Sequence, residues 1–171
     1  MVKSHENGRI DPKAGIGHVH LKVSDLPRSV KFYTEVLGFE IMDRMGDQAV
    51  FLSAGGYHHH IGLNTWESAG GPQPLRGSTG LYHFAILVSN RKELARALKR
   101  LLAAKWPLDG ASDHGVSEAL YLRDPDGNGI EIYADRPRQA WPRDANGKIA
   151  MFTQALDIDS LLAELGNSQS G

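Results

Sequence analysis

The segment GIGHVHLKVSD (15–25) returns as GLYHFAILVSN (80–90), 65 residues further on and without a gap. Gly, His, Val and Ser coincide, and Ile/Leu and Asp/Asn are conservative matches. A chain that carries one pattern twice is built from two copies of a supersecondary unit, neither of which buries its own apolar face alone. The segments after the two copies also match in type. LPRSVKFYTEVLG (26–38) predicts a helix, with Ser24 or Asp25 as its cap, Pro27 in the first turn, Gly38 as the stop and Val30, Tyr33, Val36 and Leu37 as its apolar stripe. RKELARALKRLLAA (91–104) predicts a second helix with Leu94, Leu98, Leu101 and Leu102 at helical spacing.

Short strands come after each helix: EIMDRM, QAVFLSA and HHHIGLN in the first copy, EALYLRD and GIEIYAD in the second. Pro107 and Gly110 interrupt the stretch where the repeat requires the second copy's first post-helix strand. The plan is βαβββ twice. The expected fold is α+β, with two modules forming a paired, cleft-shaped mixed sheet. Modules 15–64 and 80–134 form one domain, 15–135, joined by the Gly/Pro/Ser-rich loop 65–79. Residues 1–14 read as a flexible segment and 136–171 as a tail with a short helix over 155–165 and a frayed NSQSG end. Clefts at module junctions are common ligand sites.

Composition narrows the function. Hydrophobic residues are 41% and charged residues 23%, and the net charge is −1, so neither nucleic acid nor an acidic membrane surface is indicated as a partner. With no cysteine, disulfides and thiolate metal sites are excluded. No apolar run is long enough to span a bilayer, and the first fourteen residues lack a signal-peptide core, so the chain reads as cytoplasmic. There are eight histidines, three of them consecutive, and histidine is the commonest metal ligand.

Strand alternation sorts these histidines. Val19, Leu21 and Val23 make an apolar face, which leaves His18, His20 and Lys22 on the opposite, concave one. His83 is the repeat mate of His18, so both can approach a shared axis. IGL (61–63) aligns with IEI (130–132), making Glu131 the mate of Gly62. A carboxylate in an apolar strand is costly to bury unless it is paired or bound to a metal. His18, His83 and Glu131 form a three-donor set that leaves coordination positions open, as non-haem Fe(II) oxygenases require. Taken singly, a His in a strand is more often a hydrogen-bonded core residue than a ligand, and Glu131 can be read as a partner of Lys22 or Arg123. Their joint occurrence at repeat-equivalent positions favours a metal. Phe51, Trp66, Phe84 and Trp106 are candidates for a pocket wall or for the core.

GHVHLKVSDLPRSVKFYTEVLGFE resembles the opening of the vicinal oxygen chelate superfamily, which includes glyoxalase I, fosfomycin-resistance enzymes, antibiotic-binding proteins and extradiol catechol dioxygenases. The likeness covers roughly residues 15–135 and implies metal ligation by His18, His83 and Glu131. Glyoxalase I usually carries a carboxylate where this chain has Gly62. HGVSEALYLRDPDGNGIE (114–131) resembles the extradiol pattern in His114, Leu120–Tyr121, Asp124–Pro125, Gly127 and Glu131, with Ser112 as a departure. The Asp-Pro-Asp-Gly turn recurs across the superfamily; His114 and Tyr121 discriminate.

YHHHIGLN (57–64) is similar to the extradiol strand whose second His is the acid–base catalyst, which falls on His60. Parity puts His60 on the face of Gly62, with His58 further out, His59 turned away and His20 on the cleft wall. The resemblance therefore implies an extradiol ring-cleaving dioxygenase. It would take a small aromatic diol and O2 and hold one divalent metal, Fe(II) first, with Mn(II), Zn or Ni as alternatives. His60 would be the acid–base, and His114 and Tyr121 would hydrogen-bond the substrate. Classical extradiol enzymes have a second module pair, so a homodimer is expected to close the cleft. The competing expectations are a glyoxalase-type isomerase or thiol transferase, and a non-catalytic antibiotic-binding protein, which usually lacks the triad.

Overall fold

The computed structural model describes residues 9–75 and 77–166. Part of the expected N-terminal segment (1–8) and the whole of the expected frayed end (167–171) lie outside the described residues.

The first module runs β1 (Val19–Lys22), α1 (Leu26–Lys31), β2 (Glu40–Met45), β3 (Ala49–Ser53) and β4 (Ile61–Asn64). The second runs β5 (Phe84–Leu87), α2 (Arg91–Ala103), β6 (Leu108–Asp113), β7 (Ser117–Arg123) and β8 (Gly129–Asp135). The sheets have orders β1-β4-β3-β2 and β5-β8-β7-β6-β9, where β9 is Gln154–Ala155. Both modules are βαβββ with a parallel first–last pair, so the expected α+β repeat architecture is present. The ladders reproduce the repeat: Val19 pairs with Ile61, and Phe84 with Ile130. Glu131 therefore does stand where Gly62 stands in the first module. Strand β6 forms across the Pro107–Gly110 interruption, with a register shift between Leu108 and Gly110. Strand β2 carries its own shift between Ile41 and Asp43, so a bulge recurs in the corresponding strand of each module.

Leu21 and Val23 are buried while His18, His20 and Lys22 are exposed, as alternation requires. Asp25 is the cap of α1, accepting from the Arg28 N–H at 2.9 Å. Helix α1 does not run on to Gly38 as a plain α-helix; residues Phe32–Val36 form a π-helical turn. The wider turn lets two adjacent aromatics, Phe32 and Tyr33, both face the core. In α2 the stripe Leu94, Leu98 and Leu101 is buried, whereas Leu102 is half exposed.

The modules are joined by a polar clamp as well as by a continuous apolar core. The β7–β8 turn reaches α1. Asp126 accepts from the Ser24 hydroxyl at 2.5 Å, the Ser29 hydroxyl at 3.0 Å and Arg28 Nη2 at 2.7 Å. The buried Tyr33 hydroxyl donates to Asp124 at 3.0 Å. Phe32 stacks on Trp106 with ring centroids 4.5 Å apart, which assigns Trp106 to packing.

The tail is more ordered than a loose extension. Strand β9 pairs with β6, so the last helix, α3, begins at Ile158 behind the Asp157 cap and ends at Ala163. Arg91 ties α3 to the second module through Glu118 at 2.7 Å and Glu164 at 2.8 Å. Among the described residues no helix is long and apolar enough to cross a membrane.

Candidate metal centre and catalytic pocket

The sequence-expected site residues fall into two groups. The first is a continuous hydrogen-bonded line in the second module. His83, just before β5, places Nε2 3.0 Å from Glu131 Oε2 on β8. Tyr121, on β7 directly opposite Glu131 in the ladder, donates its hydroxyl to Glu131 Oε1 at 3.1 Å. His114 Nε2 lies 2.8 Å from the Tyr121 oxygen. Together with Ser112, Thr153 and the Asp109–Arg123 ion pair (2.9 Å), His83, His114 and Tyr121 line a cavity of about 450 Å³. Burial, then the neighbouring Glu131 charge and hydrogen bond, push the Tyr121 phenol up to about 12, so it stays a donor throughout the neutral range.

The second group is in the first module. His18 and His60 line a separate cavity of about 380 Å³ with Phe84 and Ile86. His59 is not turned away as strand parity implied: it stacks beside His18, ring centroids 4.3 Å apart, and against Phe51 at 5.1 Å. His60 Nδ1 is 3.0 Å from the Ser53 hydroxyl and accepts from the Ala54 N–H at 3.4 Å. Residues 57–60 are not part of β4, although the His60 backbone bonds Leu52 and Val19. His58 and His59 bond each other through their Nδ1 atoms at 2.8 Å. Burial, then the neighbouring His18, lower the His20 imidazole; burial, then His18 and His58, lower that of His59.

His20 explains Gly62. A Cβ at Gly62 would come 2.9 Å from the His20 ring, which fills the space a larger residue would need. The second module inverts this pair, with small Ala85 opposite Glu131. Trp66 and Phe51 flank the His20 ring at 5.4 and 5.9 Å. Phe84 is buried in the core.

One imidazole just before β5 and one carboxylate on the neighbouring β8, 3.0 Å apart, suit a divalent cation. Among the described residues, however, no three His, Asp or Glu side chains sit close enough to hold one. His83 and Glu131 are together, and His18 is not with them. The sequence reading also missed Phe152 and Thr153, whose carbonyl and hydroxyl lie 3.3 and 3.1 Å from His114 Nδ1. No repeat or periodicity marks them, because the tail has no counterpart in the first module.

Residues 15–132 match the model of the glyoxalase/bleomycin resistance protein/dioxygenase superfamily. The chain belongs to this superfamily. It is 49% identical over 169 residues to a catechol-2,3-dioxygenase of Bacillus subtilis, covering 99% of this chain and 56% of that one. It is 28% identical over 120 residues to a biphenyl-2,3-diol 1,2-dioxygenase of Rhodococcus globerulus, covering 70% of this chain and 63% of the relative. The chain thus spans somewhat more than half the length of these curated relatives. Among solved structures, a superfamily domain from Frankia matches with TM-score 0.60 and 29% identity over 72% of this chain and 98% of that one. A lactoylglutathione lyase from Agrobacterium tumefaciens matches with TM-score 0.57 and 26% identity over 72% and 96%.

Proposed function

We propose that this chain is an extradiol dioxygenase that opens the ring of a catechol-type diol with O2. The observation that carries the reading is the line His114–Tyr121–Glu131–His83 along one pocket. His114, Tyr121 and Glu131 belong to the extradiol pattern and His83 to the superfamily's metal positions, and the 49% identity to a catechol-2,3-dioxygenase supports the same class. Gly62 speaks against a glyoxalase-type centre, since the His20 ring occupies the space of a fourth carboxylate.

His83 and Glu131 would hold one divalent metal, Fe(II), with His18 as the third donor. Within one chain His18 stands apart, and the concave sheet faces are left open, with Met42, Met45 and Leu87 exposed. Closure of these faces in a homodimer is the arrangement we assign, because it covers the apolar residues and completes the donor set. The metal, when bound, supplies Lewis acidity toward the two vicinal oxygens and the redox capacity for O2. The residues do the rest. Tyr121 holds the Glu131 carboxylate by its hydroxyl, and His114 backs Tyr121 and faces the pocket. His60 takes and returns the diol protons once the cleft is closed.

The test is oxygen uptake after anaerobic loading with Fe(II) or Mn(II), using catechol, methylcatechols, 2,3-dihydroxybiphenyl and protocatechuate. Stoichiometric uptake with a yellow ring-fission product is the expected result. One tightly bound metal per chain without uptake would reject it.

A further inference from the structure

We propose that Thr153, in the tail beyond the superfamily match, is a positioning residue that decides which nitrogen of His114 carries the proton. The partners along this line are fixed, so its protons can be counted. The Glu131 carboxylate can only accept, so the single Tyr121 proton is spent on Oε1 at 3.1 Å. The Tyr121 oxygen must then accept from His114 at 2.8 Å, which places a proton on Nε2. A neutral His114 is left with a lone pair on Nδ1, which needs a donor. Two atoms face it. The Phe152 carbonyl, at 3.3 Å, can only accept; the Thr153 hydroxyl, at 3.1 Å, can donate. Thr153 is thus the group that lets the line run in one direction, Thr153 to His114 to Tyr121 to Glu131, with every proton used once.

The tail is built to deliver this hydroxyl. The Phe152 N–H bonds the His114 carbonyl, and β9 begins at once, pairing Gln154 with Asp113 and Ala155 with Ser112. Gln154 Nε2 also donates to Asp113 Oδ2 at 3.1 Å. Without the hydroxyl, Nδ1 has only the Phe152 carbonyl, which demands a proton there. The tautomer then inverts, Nε2 becomes an acceptor, and the one Tyr121 proton is contested between His114 and Glu131.

The consequence for turnover rests on the dioxygenase reading; the tautomer does not. The experiment is two-bond 1H–15N NMR of 15N-histidine-labelled full-length protein loaded with diamagnetic Zn(II), at pH about 8.5, above the ordinary imidazole range. The His114 signals are assigned by their loss in His114→Gln. The Nε2–H tautomer is expected in the parent and in Thr153→Ser, and the Nδ1–H tautomer in Thr153→Val. In the Fe(II)-loaded enzyme, Thr153→Val should lower kcat about tenfold or more with KM little changed, and Thr153→Ser should restore it. A parent already in the Nδ1–H form, or a Thr153→Val spectrum identical to the parent, overturns the proposal. Absence of catechol turnover in the parent counts against the dioxygenase reading, while the spectrum still decides the tautomer.

Discussion

His83 Nε2 and Glu131 Oε2 lie 3.0 Å apart, joined from the approach to β5 to the neighbouring strand β8. The Glu131 side chain is largely withdrawn from solvent, and His83 is partly exposed. A ligand pair of this kind loses its cation when the carboxylate goes. Glu131→Ala should lower divalent-metal affinity by about a hundredfold or more, measured by calorimetric titration of the metal-stripped protein. An unchanged affinity would show that the carboxylate is not a ligand. Glu131→Gln separates charge from size, because the amide keeps the Tyr121 contact but binds a cation poorly.

Tyr121 sits between His114 and Glu131 and links them along this line. Tyr121→Phe keeps the ring and its packing while deleting both hydrogen bonds. Turnover should fall by about ten- to a hundredfold, with metal affinity reduced less than in Glu131→Ala. The phenol, pushed up to about 12, keeps its proton through the working range. The parent enzyme should therefore show no alkaline loss of activity traceable to Tyr121 below about pH 10. If Tyr121→Phe removes a basic limb of the pH profile near neutrality, the assignment of Tyr121 as a permanent donor fails.

Much of this geometry is written in the repeat. The 65-residue offset carries the ladder register, and Glu131 as the mate of Gly62 comes from aligning IGL with IEI. The part that stays hidden depends on contacts between segments with no shared pattern. The partners of His114 come from a tail outside the repeat, and the π-helical turn at Phe32 answers to Trp106 and Asp124 in the other module. His18 illustrates the limit most clearly. Its face and its exposure can be read from alternation, but its neighbour depends on how two modules are set against each other. That setting is held by Asp126 on Ser24, Ser29 and Arg28, a contact between segments about a hundred residues apart.

Asp126 should also make stability pH-dependent. Burial alone would raise its carboxyl, but hydrogen bonds from the Ser24 side chain and backbone and from Ser29, with the Arg28 charge, hold it below the usual carboxylate range. A carboxyl depressed on folding contributes stability that is fully present above its unfolded value, about 4, and is lost as pH falls through the folded one. Asp126→Asn should cost about 1–3 kcal/mol near pH 7. The gap between parent and variant should narrow below about pH 4 in urea unfolding monitored by circular dichroism. A gap that stays constant down to about pH 2.5 would mean that the carboxylate charge is not what clamps the modules.

Gly115 couples the tail to the pocket through backbone shape. Its φ is +76°, and a Cβ there would lie 2.5 Å from Phe152 Cε1 and 2.8 Å from Pro142 Cγ. Its N–H is spent on Asp113 Oδ1 at 2.8 Å, so the turn cannot easily relax. Gly115→Ala therefore meets both left-handed strain, about 1–2 kcal/mol, and a clash with the segment that carries Thr153. The melting temperature should fall by several degrees, by about 2–4 °C per kcal/mol for a chain of this size. Limited proteolysis should open the stretch between Trp141 and Thr153 before the sheets unfold. Because Phe152 and Thr153 both lie against His114 Nδ1, turnover should fall well beyond the loss of folded protein. A variant that melts early yet keeps full specific activity while folded would separate the tail's packing from the chemistry of His114.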